Sequence, residues 1–304
     1  MSVTAKRHVS GLQPPLRPIP SVRIGRLLRD IWPLLPGVCL LLIFFAVPLV
    51  LIAPQSLDFS GKPVFGTYEA ILTDPYYWSV LMRSIWLALL STVVCIVLAY
   101  PVAYYLVRIC NHRMRRLVFI IVIAPLFTSA VIRSMAWLII LGRRGLVNDT
   151  LLSLNLIEAP LRLLYNDFAV IVGLLYIVLP FMVLSISSVL EGIDVTLEQA
   201  ARDLGETALG AFRRVTLPLS MPGVLAGSFL VFALCLSSYV TPAILGGGRN
   251  KVIAMLIFEQ FMRLFNWSLG AALSCILLVI SLVVIWGYNR MLTRWVSTPR
   301  PLVA

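Results

Sequence analysis

Between Asp30 and Asp58 the chain carries no charged side chain. An apolar run of that length reads as a helix crossing the hydrocarbon core of a bilayer, which takes about 20 residues. Five further runs follow, so that the candidate spans lie at Trp32–Pro54, Ser84–Val107, Leu117–Leu141, Phe168–Leu190, Pro222–Leu245 and Leu264–Gly287, the third interrupted by Arg133. Lipid supplies no hydrogen-bond partner, so a crossing segment is either a helix or a strand of a closed barrel. These runs lack the period-two alternation of barrel strands. The expected fold is an all-α membrane protein with six transmembrane helices.

Composition agrees. Of 304 residues 60% are hydrophobic and 12% charged, against about 25% charged in soluble domains. The net charge of +12 does not point to nucleic acid, because the basic residues gather at the ends of the apolar runs, as cytoplasmic loops do. Arg23, Arg26 and Arg29 precede the first run. Arg108, Arg113, Arg115 and Arg116 lie between the second and third, Arg202, Arg213 and Arg214 between the fourth and fifth, and Arg290 and Arg294 after the sixth. This asymmetry places both termini in the cytoplasm.

Residues 1–31 form a basic, Pro-rich cytoplasmic segment, 32–290 the transmembrane domain with a polar loop at 191–220, and 291–304 a cytoplasmic tail. The first apolar run begins too late for a cleavable signal and reads as a retained anchor. Ser21–Asp30 has two readings, a short helix on the membrane surface or a solvated tail. Arg83 is expected to snorkel to the interface and Arg133 to face the bundle or a cavity, because an unpaired charge in lipid is costly.

The residues offer no enzyme. His8 and His112 sit in basic segments, and the five cysteines have no metal-ligand spacing. There is no G-x-x-x-x-G-K-[ST] phosphate cradle. The run Gly246–Lys251 lacks that spacing and reads as a flexible turn on the outer side.

The loop from Glu191 to Pro218 is the informative segment. Thr196 is the expected N-cap of a short helix, Gly205 its end, and a second short helix is expected from Thr207 to Arg214. Leu197, Ala200, Ala201 and Leu204 make one small apolar face. Such a helix either lies on the bilayer or inserts into a partner's groove.

In this loop Gln199-Ala200-Ala201, Gly205, Val215 and Leu217-Pro218 stand at the spacing of the EAA loop of ABC importer permeases, which the segment resembles. Gln199 replaces the family's leading Glu, with Glu198 just before it, and Glu206 stands where the family has a small residue. Arg133–Trp137, Gly145–Asn148 and Tyr239–Gly247 resemble the spermidine/putrescine-type branch.

The resemblance implies a type I ABC importer (MetI-like) permease fold in a bacterial inner membrane, with the loop forming a cytoplasmic coupling helix. Implied partners are a cytoplasmic ABC ATPase dimer that holds ATP and Mg, a second and different permease chain, and a periplasmic substrate-binding protein. Membrane lipid surrounds the bundle, and no cofactor is expected on this chain. The expected coupling residues are Glu198, Gln199, Ala200, Ala201, Arg202, Asp203, Gly205, Leu217 and Pro218. Arg213 and Arg214 are further candidates for pairing with the ATPase.

Candidates for a translocation path are Tyr176, Ser185, Ser237, Ser238, Tyr239, Thr241 and Arg133, with hydrogen bonding between helices as the alternative for the hydroxyls. The expected cargo is a polyamine or similar small organic solute. Iron, opine and phosphonate permeases share the branch motifs, and an ion-coupled transporter or channel is the competing class. That class uses intramembrane carboxylates and internal repeats, and neither is visible in the spans.

Overall fold

The structure, a computed structural model, describes residues 35–57, 66–248 and 251–296. Every regular element within them is helical. The expected surface helix at Ser21–Asp30 and the tail beyond residue 296 lie outside the described residues.

By its contacts the chain divides after Leu51. Helix α1 (Leu35–Gln55) supplies the described part of the first unit and has no charged residue along its length. The unit from Ile52 onward holds the remaining elements. They are α2 (Gly66–Thr73), α3 (Pro75–Tyr104), α4 (His112–Ile123), α5 (Ala130–Ile140), α6 (Leu146–Ser153) and α7 (Asp167–Glu191), followed by α8 (Val195–Asp203), α9 (Ala208–Ala211), α10 (Leu217–Ser237), α11 (Val240–Leu245), α12 (Ile253–Met262) and α13 (Trp267–Val296). Two π-helical turns, Tyr105–Ile109 and Phe212–Thr216, extend α3 and lead into α10.

Five of these helices are long and apolar enough to cross a membrane: α1, α3, α7, α10 with its lead-in, and α13. The third expected span is not one rod. α4 runs into a 3-10 turn at Ala124–Phe127, and α5 leaves it bent by 104°. Pro125 withholds an N–H from the helix and Thr128 is extended, so the helical ladder stops there. The guanidinium of Arg133 spans the break and donates from Nη1 to the carbonyl of Pro125 at 2.6 Å.

The fifth span also differs from expectation. It starts at Leu217 rather than Pro222 and ends at Ser237, because Ser238 is extended. The break moves Pro242 into the first turn of α11, where its missing N–H leaves no acceptor empty. The second span begins nine residues earlier than read, at Pro75 rather than Ser84, capped by the Asp74 carboxylate accepting from the Tyr76 amide at 2.8 Å. The fourth, α7, matches its expected bounds within one residue at each end.

α7 is the centre of the core. Ala169, Met182, Ile186 and Leu190 along it are buried, as are Cys95, Ala99 and Ala103 on α3 and Val231 and Phe232 on α10. Small residues bring the backbones together. A Cβ on Gly223 would stand 2.9 Å from the Ser185 carbonyl oxygen, and one on Gly227 would stand 2.8 Å from Met182 Sδ. The Ser185 hydroxyl donates to the Gly223 carbonyl at 2.9 Å. A second cluster joins α2, α3, α12 and α13 through Ile71, Leu81, Ile253, Leu256 and Leu273.

Two polar fixtures tie the other end. Arg83 pairs with Asp167 at 2.5 Å, so this arginine is bound to the first turn of α7. The fully buried Asn148 donates to the carbonyls of Gly142 and Leu161 at 2.9 and 3.1 Å and accepts from the Leu161 amide at 2.8 Å.

Candidate coupling site

The polar loop after α7 folds as two short helices, α8 and α9. The N-cap of α8 is Asp194 rather than Thr196. Its carboxylate accepts from the Thr196 amide at 2.9 Å, and Asp satisfies a free helical N–H as well as Thr does. Hydrogen bonds from the Thr196 backbone and hydroxyl hold the Asp194 carboxyl below its usual range. Gly205 ends the helix at φ +92°, with open space where a Cβ would point. What that position requires of its residue is therefore conformational, not steric. Thr207 caps α9 by accepting from the Gly210 amide at 3.1 Å.

The faces of α8 are sharply divided. Leu197 is 47% and Leu204 88% exposed, and Ala200 is exposed between them, so the apolar stripe read from the sequence points away from the bundle. Gln199, Arg202 and Asp203 are exposed beside it and Ala201 is half-buried. Glu198, grouped with the docking residues on sequence, faces the chain's own interior at 7% exposure.

There Glu198 meets both π-helical turns. Thr216 Oγ1 donates to Glu198 Oε1 at 2.7 Å. Arg108 Nε lies 3.3 Å from the same oxygen, close enough for an ion pair but without the alignment of a hydrogen bond. Arg108 Nη2 donates to the carbonyl of Ile193 at 3.0 Å. The hydroxyl of Tyr104 comes within 3.5 Å of Glu198 Oε2. The Phe212 ring packs edge-on against Tyr104 and Tyr100, with centroids 5.5 and 5.6 Å away, and Tyr100 bonds Ser220 at 2.7 Å. A carboxylate this buried persists only when charge and hydrogen bonds compensate it. The loop helix is thereby pinned to the ends of α3 and α10.

The remaining expected residues separate by burial. Arg214 pairs with Glu206, so the residue that departs from the family pattern occupies this arginine within the chain, while Arg213 is exposed. Leu217 and Pro218 are half-buried in the first turn of α10. Among the path candidates, Ser185 and Thr241 are used between helices. Thr241 is buried, 3.4 Å from the Ser134 hydroxyl, and Ser185 holds α10. Tyr176 is exposed on one side and packs edge-on to Trp137 with centroids 6.0 Å apart. Tyr239 stacks on Phe258 at 4.7 Å, Ser237 is exposed beside it and Ser238 is half-buried. Arg133 serves the α4–α5 bend.

Reading residue types alone missed the Gly223-x-x-x-Gly227 contact and the Arg108–Glu198 pair. The first had a legible signal in its four-residue glycine spacing. The second joins residues 90 positions apart and had none.

The geometry is that of a polytopic membrane protein with a short helix anchored beside the ends of two of its apolar helices. Residues 95–296 match the family described as binding-protein-dependent transport system inner membrane component. The chain belongs to that family and is a type I ABC importer permease, a multi-pass protein of the inner membrane.

It is 39% identical over 229 residues to the spermidine/putrescine transport system permease protein PotB of Escherichia coli (strain K12), covering 74% of this chain and 83% of that one. It is 32% identical over 266 residues to the PotB of Haemophilus influenzae, covering 84% and 93%. The fold matches a chain of a bacterial ABC transporter that imports the acidic polysaccharide alginate, with TM-score 0.72, 19% identity, and coverage of 90% of this chain and 99% of that one.

Proposed function

We propose that this chain is one of two permease subunits of a polyamine importer, moving spermidine, putrescine or a similar small organic cation inward. In this reading a binding protein delivers the solute from outside, and a separate ATPase dimer drives transport from the cytoplasm. The identity to spermidine/putrescine permeases supports the substrate class.

The observation that carries the coupling role is the division of α8. Leu197, Ala200 and Leu204 face outward as an apolar ridge, while Glu198 ties the helix inward to Arg108 and Thr216. An apolar ridge on a short helix seats in a groove of a partner. A push on that ridge passes from Glu198 through Arg108 to α3 and through Thr216 to α10. Arg202 and Asp203 flank the ridge as charged contacts, with Gln199 in place of a carboxylate.

The test is reconstitution in vesicles with the ATPase, the second permease and the binding protein, with uptake of labelled putrescine and spermidine measured against iron, opine and phosphonate solutes. Uptake of a polyamine is expected. Gly205→Asp is expected to leave insertion intact and to abolish substrate-stimulated ATP hydrolysis. Normal stimulation in that variant overturns the coupling site, and uptake of another solute alone overturns the cargo.

A further inference from the structure

A groove between α4 and α7 is left unused by the coupling role. It encloses about 630 Å³ at the end of the bundle that carries the polar loop, since Glu191, the last residue of α7, lies on its rim. Opposite it stand His112, Arg115 and Arg116 from the first turns of α4. Arg115 pairs with Glu191 and is spent. Arg116 and His112 are exposed and have neither ion pair nor hydrogen bond among the described residues.

Further along α4 the wall turns apolar with Phe119 and Ile120, which are 44% and 67% exposed. The Ser187 hydroxyl, in the lining of the same cavity, is buried without a hydrogen-bond partner among the described residues. A hydroxyl in that state is costly unless a ligand or water completes it.

The groove therefore asks for an occupant with an anionic head, an apolar body and an acceptor at their junction. Inorganic phosphate has no use for the apolar wall. A polycation is repelled by the free guanidinium. A phospholipid meets all three demands, and basic pockets between transmembrane helices at the cytoplasmic surface take anionic headgroups.

We propose that the α4–α7 groove binds one anionic phospholipid, with its phosphodiester at Arg116 and His112, a glycerol ester oxygen accepting from Ser187, and an acyl chain along Phe119 and Ile120.

The assembled transporter, purified in detergent, is titrated with phosphatidylglycerol and with phosphatidylcholine of the same acyl chains, and bound lipid is counted by native mass spectrometry. Retention of one phosphatidylglycerol per chain is expected. Arg116→Gln should weaken it roughly fivefold, the effect of about one cation at a lipid surface, while Arg116→Lys leaves it unchanged. Phosphatidylcholine binding should be the same in all three proteins.

A photo-crosslinking residue at position 120 in native membranes should label phospholipid. Equal loss of both lipids in Arg116→Gln overturns the proposal, as does displacement of phosphatidylglycerol by inorganic phosphate or a polyamine. An adduct at position 120 with the second permease chain, in place of lipid, also overturns it.

Discussion

Thr216 Oγ1 stands 2.7 Å from Glu198 Oε1, so the last residue of one π-helical turn holds the first turn of α8 by its buried carboxylate. Arg108 approaches the same oxygen from the other π-helical turn. Extra-wide turns of this kind recur at functional sites because they shift the register of a helix by one residue. Here they put an arginine and a threonine on one carboxylate.

Removing the carboxylate strands a buried guanidinium. Glu198→Ala is expected to destabilise the chain by about 3–5 kcal/mol, the usual cost of breaking a buried pair from one side. The pair Arg108→Met with Glu198→Leu should recover most of that stability, since an apolar replacement removes both charges together. It should not recover substrate-stimulated ATP hydrolysis, because the directed link to α10 is gone. Thermal unfolding and ATPase assays on the assembled complex separate the two effects. Full coupling in the double variant would show that the ion pair transmits nothing.

The two glycines of α10 should respond differently to the same methyl group. At Gly223 the new Cβ meets the Ser185 carbonyl oxygen and the Val189 Cβ, both at 2.9 Å, and backbone cannot step aside. At Gly227 the nearest atom is Met182 Sδ, the pliable part of a thioether chain. Gly223→Ala is expected to cost about 1–3 kcal/mol by overpacking, and Gly227→Ala visibly less. Midpoints of thermal unfolding in detergent give the order, and a larger loss at Gly227 contradicts the packing described.

Arg133 holds the α4–α5 bend through the carbonyl of Pro125. Arg133→Met keeps the length of the side chain and loses that donor. Spin labels at positions 121 and 138 are expected to show a broader distance distribution in the variant, with the change absent from labels placed on α7. An unchanged distribution means that Pro125 and Thr128 alone set the angle.

The cap of α8 gives the loop a dependence on pH. The Asp194 carboxyl is held below its ordinary range, so its stabilising bond is fully present above the unfolded value, about 3.9. It is lost as pH falls through the lower folded value. Hydrogen exchange in residues 195–203, corrected for intrinsic rate, should quicken only on that acid side. Asp194→Asn keeps a capping oxygen without a titrating group and should flatten the response.

Much of this protein is local, and the local part was legible. Charge-free stretches such as 31–57 dictate helices in lipid whatever surrounds them, and Gly205 ends α8 because its own backbone sits at positive φ. The helical spacing of Leu197, Ala200 and Leu204 marked the apolar ridge of α8, because periodicity is local too, whereas Ala201, read into the same face, is half-buried. Contacts between distant positions were not legible. Nothing in the neighbourhood of Glu198 says that Arg108 and Thr216 will surround it. Nor does Pro125 by itself say whether the chain bends gently or by 104°. Burial decides whether a carboxylate is a docking contact or an internal anchor, and burial belongs to the packed bundle.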